Sequence, residues 1–177
     1  TTGLMVVAKN DRAHRHLAAQ LEARTLSRVY AAVVWGDPGA GRIEAAIARN
    51  PRDRVQMAVR EDGRRAVTRF TTCEQLGFLS LLRVELETGR THQIRVHMQH
   101  AGHPVFGDPV YGGRSRLRGI APGHRGAATQ ALGLIGRQAL HASRLAFEHP
   151  STGKAASFSS PLPEDIGRVL ELLRRPA

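Results

Sequence analysis

The sequence predicts an α+β fold, a mixed and mostly antiparallel β-sheet with flanking helices. Three observations carry this. Strand-like segments come in runs, and helical patterns are interspersed among them without strict alternation, which argues against a doubly wound parallel sheet. Residues 82–87 alternate cleanly: Leu82, Val84 and Leu86 point one way and Arg83, Glu85 and Glu87 the other, the mark of a strand with one wet face. After Pro163 the pattern switches to a helical one, with Ile166, Val169, Leu170 and Leu173 on one face.

The remaining elements follow in order. Residues 4–8 form a short apolar run and are expected as a buried strand. Asn10 or Asp11 caps a helix whose inner face carries Ala13, Leu17 and Leu21. Residues 27–35, rich in Val, Tyr and Trp, read as a strand that Asp37-Pro38-Gly39 ends in a turn. Residues 42–48 and 66–72 read as further strands, with the polar loop Asn50-Pro51-Arg52-Asp53-Arg54 between them. Thr91 is expected to cap the next helix, with Ile94, Met98 and Ala101 recurring along it and Gly102 as its stop. Residues 104–113 are a loop, and residues 140–147 a strand. The stretch between them is rich in Gly, Ala and Arg and suggests no regular element, so residues 112–138 are expected as an Arg/Gly-rich loop region.

Composition narrows the function. The length of 177 residues favours one domain with a real core. No apolar run approaches the ~18 residues a membrane span needs, and Thr1 to Lys9 lacks the shape of a secretory signal. A cytoplasmic monomer is the expectation. The single cysteine, Cys73, excludes an internal disulfide and a cysteine-based zinc site, and reads as a small packing residue. Charge is the strong signal: 26 Lys+Arg stand against 15 Asp+Glu, a net +11, and all the basic residues but Lys9 and Lys154 are Arg. Codon bias toward Arg explains the choice of Arg over Lys but not the excess of charge. Arg makes planar, bidentate contacts to phosphate and stacks on bases, so a nucleic acid partner follows. From Pro109 to Phe147 there is no Asp or Glu, while Arg114, Arg116, Arg118, Arg125, Arg137 and Arg144 lie there. Such a segment suits a phosphate-facing surface; a basic loop that touches nothing is the competing reading.

The run Glu87-Thr88-Gly89-Arg90-Thr91-His92-Gln93-Ile94-Arg95-Val96-His97 sits where a strand gives way to a helix. A helix start offers free N–H groups and a positive end, and Arg90 adds a full charge, so an anion is expected there. The alternative is a structural Arg90 paired with Glu85 or Glu87. His97, His100 and His103 are spaced by three, but Gly102 and Pro104 break the helix at His103, and no metal site is expected. Tyr30, inside an apolar strand, is either a sheet tyrosine or a platform for a base.

Several stretches together resemble the RluA-type RNA pseudouridine synthases. Thr1-Thr2-Gly3-Leu4-Met5-Val6-Val7-Ala8-Lys9 is similar to the tail of that family's first motif, and Ser27-Arg28-Val29-Tyr30-Ala31-Ala32-Val33 to its second. The run from Glu87 to His97, with Gly102-His103-Pro104 and Gly107-Asp108-Pro109-Val110-Tyr111-Gly112, is similar to its third. Leu140-His141-Ala142, Phe147-Glu148-His149-Pro150, Thr152-Gly153-Lys154 and Pro161-Leu162-Pro163 fit the C-terminal part. The resemblance spans nearly the whole chain in order.

It implies a pseudouridine synthase fold with a central RNA-binding cleft, and isomerisation of uridine to pseudouridine in RNA, 23S ribosomal RNA above all, without cofactor or metal. It implies roles too. Arg90 matches the arginine that pairs with the nucleophilic aspartate, Tyr30 the tyrosine that stacks on the target base, and Leu140 an apolar position beside it. Ile94, Arg114, Arg116 and Arg118 are the further expected substrate contacts. The aspartate itself belongs three residues before the position of Thr1. The expectation is therefore a catalytic domain over residues 1–177, incomplete at its N-terminus and inactive as it stands. A non-catalytic RNA-binding module of a ribosome-associated protein is the alternative. Asp108 is no substitute nucleophile, since it reads as a turn former in its Gly-Asp-Pro loop.

Overall fold

A computed structural model describes residues 1–53 and 55–174, without the side chain of Arg118. Arg54, part of the expected polar loop, lies outside the described residues. A seven-stranded sheet runs β1 (Thr2–Gly3), β8 (Leu140–Glu148), β2 (Ser27–Trp35), β7 (Leu79–Leu86), β6 (Val67–Leu76), β3 (Ala40–Glu44), and β9 (Ala155–Ser159) also pairs with β8. Only β1 runs parallel to its neighbour within this sheet, so it is mixed and mostly antiparallel. A separate ribbon joins β4 (Ile47–Arg49) to β5 (Met57–Val59).

The central strands are the ones with the strongest apolar content. Ala32, Val33 and Val34 of β2 and Leu79 and Val84 of β7 have no exposed surface. Helices α2 (Gln93–His100), α3 (Arg125–Gly133) and α4 (Glu164–Arg174) bring Met98, Ala128, Ala131, Ile166 and Val169 to the same core. Removing this much apolar surface from water is the main driving force for the fold. Trp35 is buried there, packed against Phe78 and Phe106, and its indole N–H donates to the Gly113 carbonyl at 2.6 Å. Helix α1 (Asp11–Ala23) begins at Asn10, whose side chain accepts from the Ala13 N–H. It packs near β8 through Leu17, with Leu26 and Leu145.

Several sequence expectations need correction. Residues 4–8 form no strand beyond the end of β1. They run extended, with Leu4, Val6 and Ala8 turned inward and Met5 and Val7 exposed, and one backbone bond from Leu4 to Ala142 carries the pairing on. Leu21 is an exposed position of α1, while Gln20 is buried because both ends of its amide bond Glu148. The strand expected over 42–48 is two strands in two sheets: β3 stays on β6, and Ala45 N–H to Ala66 O leads the chain off into the ribbon. Cys73 is exposed rather than a packing residue. Finally, the segment 112–138 holds two short 3-10 turns, Ser115–Gly119 and Pro122–His124, and helix α3. Alanines fill the inner face of α3, and alanine gives little periodic contrast to read.

Candidate functional site

The turn between β7 and α2 is built by one glutamine. Gln93, 2 % exposed, accepts from the Thr88 hydroxyl (2.8 Å) and from the Arg90 N–H (2.9 Å). Its amide nitrogen donates to the Val67 carbonyl (2.9 Å) and to Thr68 Oγ1 (3.0 Å). Thr88 Oγ1 also accepts from the Val67 N–H at 2.8 Å. The turn is thus clasped to β6, and α2 starts at His92 in the left-handed region (φ 56°) without any cap from Thr91, contrary to expectation. Gln93 instead ties down the turn that precedes the helix.

This clasp aims Arg90 away from the sheet's acids. Glu87 is taken by Arg24, Arg42 and Arg69, and Glu85 by Arg83. Burial alone would raise the Glu87 carboxyl, but Arg69 and Arg42 hold it below its ordinary value. Arg90 is paired with neither; its Nε donates to the Arg65 carbonyl at 3.1 Å. The structural pairing considered for Arg90 is absent among the described residues.

Arg90 lines a cavity of about 140 Å³ together with Tyr30, Leu140, Ile94, Leu86, His92, Gln93, Arg95 and Thr1. Four residues singled out in the sequence therefore meet, from β2, the turn, α2 and the start of β8. Leu140 and Ile94 are each 4 % exposed and make a closed apolar wall, while Tyr30 is half-buried. No carboxylate lines this cavity among the described residues. Arg90 and Arg95 both line it, so its charged lining is basic.

Arg95 is the residue of this site that sequence reasoning missed. Its Nε and Nη2 bond Asp108 at 2.7 and 2.9 Å, and its guanidinium lies 4.6 Å from the centre of the Tyr111 ring. Asp108 does form the expected turn, accepting from the Val110 and Tyr111 N–H groups, but it is also a fully buried ion-pair partner. Burial would raise its carboxyl; Arg95 and the two N–H groups outweigh that and hold it low. The Tyr111 hydroxyl meets His92 Nδ1 at 2.8 Å, and burial followed by Arg95 lowers His92, keeping it neutral at the cavity wall. Nothing in the sequence marked Arg95 off from its neighbours, because its partner lies in a separate loop.

A second, wider cavity of about 510 Å³ adjoins the first through Arg90 and is lined also by Arg24, Arg28, Arg64 and Arg65. The other basic residues proposed from sequence are elsewhere. Arg114 caps the end of α3, donating to the Ile135 (3.0 Å) and Leu132 (3.3 Å) carbonyls. Arg116 lines a separate cavity beside Tyr111 and Gln99, and the Arg118 side chain is not described. His97 is buried with its ring nitrogens on Thr68 and the Ala45 carbonyl. Among the described residues no group of three His, Cys, Asp or Glu is placed to hold a metal, and no helix is long and apolar enough to cross a membrane.

Residues 1–100 match the family model described as RNA pseudouridylate synthase. Over 176 residues the chain is 49% identical to the ribosomal large subunit pseudouridine synthase D of Pseudomonas aeruginosa, covering 99% of this chain and 54% of that protein. The protein of the same name from Xanthomonas campestris is 46% identical over 175 residues, covering 98% of this chain and 52% of the relative. The chain thus spans about half the length of the curated relatives it matches. Among solved structures, human RNA pseudouridylate synthase domain containing 4 superposes with a TM-score of 0.74 at 22% identity, covering 96% of this chain and 70% of that one, a likeness of fold.

Proposed function

Because the chain belongs to the RluA-type RNA pseudouridine synthase family, we propose that the intact protein isomerises uridine to pseudouridine in RNA, with the large ribosomal RNA as substrate. The observation that carries this is the meeting of Tyr30, Arg90, Ile94 and Leu140 around one cavity of nucleobase scale.

The proposed roles are those the resemblance implies, and the meeting of these residues around one cavity supports them. A target uridine leaves its stack, enters beside Tyr30 and lies against the apolar wall of Leu140 and Ile94. An aspartate, supplied by the chain preceding Thr1 in the longer protein, enters the positive cavity and pairs with Arg90. A guanidinium with no other carboxylate holds that group ionised and aimed. The aspartate attacks the nucleoside, and the bond from ribose to uracil nitrogen breaks. The base then turns and its carbon displaces the aspartate from the ribose, freeing the carboxylate; that carbon gives up its proton and the freed ring nitrogen takes one up. No atom is gained or lost overall, as an isomerisation requires.

A non-catalytic RNA-binding module is the second reading, favoured by the absence of a carboxylate around the cavity among the described residues. One experiment separates the two. The intact protein and residues 1–177 alone are incubated with a large-subunit ribosomal RNA transcript, and the nucleosides are separated after digestion. Pseudouridine from the intact protein only is the expected result. An intact protein that binds the transcript and forms none leaves the binding-module reading.

A further inference from the structure

Of the arginines around the wider cavity, Arg28, Arg64 and Arg90 have no ion pair among the described residues, and only Arg28 also has a buried nitrogen without a hydrogen-bond partner. In the same basic cavity Arg24 is bonded to Glu87 and, just behind it, Arg65 to Glu44 at 2.6 Å. Arg28 has no ion pair among the described residues, and its Nε is buried without any hydrogen-bond partner. Arg28 is half-buried, and a buried N–H without an acceptor is costly, so a fold keeps one only where something repays it. Burial accordingly pushes the Arg28 guanidinium below its ordinary value, though it stays charged.

Its position is specific. The side chain lines both the basic cavity that reaches Arg90 and a smaller one, about 200 Å³, whose walls include Tyr30, Leu4, Leu26 and Leu145. Gly89 covers it: a Cβ there would sit 2.4 Å from Arg28 Nη1. The glycine of the turn therefore leaves room for the guanidinium between the two cavities. The guanidinium fork matches the oxygens of a phosphate.

We infer that Arg28 is a substrate-binding residue: it holds a backbone phosphate of the RNA strand next to the nucleotide seated on Tyr30. The inference rests on the isomerase reading for what lies on Tyr30, but its own content is a phosphate contact, and it is tested by affinity rather than turnover.

The test compares the intact protein with its Arg28→Met and Arg28→Lys variants, measuring affinity for the ribosomal RNA transcript across a salt series together with the unfolding temperature. Arg28→Met is expected to weaken binding about tenfold. It should also flatten the slope of log affinity against log salt by about 0.7–0.9, as when one phosphate fewer is neutralised. Its unfolding temperature should equal or exceed the parent's, because a desolvated charge without a partner is removed. Arg28→Lys should recover the slope. If Arg28→Met does not fold, Arg28→Gln carries the same slope test. Unchanged affinity and slope overturn the inference, as does a drop in unfolding temperature with affinity intact, which makes Arg28 structural. A parent that binds the transcript but forms no pseudouridine refutes the isomerase reading instead, and the phosphate contact then stands or falls on the slope alone.

Discussion

Arg90, in the turn between β7 and α2, and Arg95, in the first turn of α2, line one cavity, yet the molecule treats them in opposite ways. Arg95 is closed off: it has two bonds to a buried Asp108 and the face of Tyr111 over it. Arg90 is held by its backbone, through Gln93, while its guanidinium meets a single carbonyl among the described residues. The difference separates a charge closed into the structure from one whose guanidinium has no carboxylate partner among the described residues, which fits the ligand role proposed for it. Residue type and spacing alone do not draw that line; the partner does.

The largest effect expected from breaking this contrast is on the closed side. Asp108→Ala leaves the Arg95 charge buried and unpaired, with side-chain exposures of 9% and 0% for the pair, and should cost about 3–5 kcal/mol of stability, read from denaturant unfolding. The pH dependence follows the same pair. Asp108 is held below its ordinary 3.8, so its contribution is complete above that value and is lost as pH falls toward and through the folded-state value. An unfolding profile in acid that is equally steep for the parent and for Asp108→Asn would remove Asp108 from this account.

Next comes the clasp. Gln93→Leu fills the same space but leaves the Arg90 N–H and the Thr88 O–H without their acceptor, and about 2–3 kcal/mol should be lost, with turnover falling because Arg90 is no longer aimed. A stable Gln93→Leu protein with full turnover would show that the turn holds itself. Tyr30→Ala should lower turnover by about 10–100-fold, the worth of a base stacked on an aromatic ring, with a smaller effect on folding because Tyr30 is only half-buried. A gross loss of stability in its place would make Tyr30 a sheet tyrosine. The smallest effect belongs to Arg116, exposed and away from the Tyr30 cavity: Arg116→Ala should change stability by less than about 0.5 kcal/mol and leave turnover nearly intact.

The same contrast marks how far the sequence could be read. Strand β2 has the bounds its Val, Tyr and Trp content suggests, and the alternation from Leu82 places the faces of β7 as the structure does. Those signals are local. The ribbon of β4 and β5 is not local, being three-residue strands fixed by bonds such as Arg60 N–H to Ala46 O across a loop. Strand β9, largely exposed, has little apolar alternation to show. At the site, Tyr30, Arg90, Ile94 and Leu140 were legible through their motifs. Arg95, Gln93 and Arg28 were not, because what distinguishes them is a partner elsewhere in the chain, or the want of one.

The central claim is that Arg90 is kept open for a catalytic carboxylate. It is tested most directly by pseudouridine formation in the Arg90→Ala variant of the intact protein, with RNA affinity and unfolding temperature measured on the same sample. The account predicts turnover reduced by at least about 10²–10³-fold, with RNA binding and stability close to the parent's. Full turnover in Arg90→Ala would contradict it.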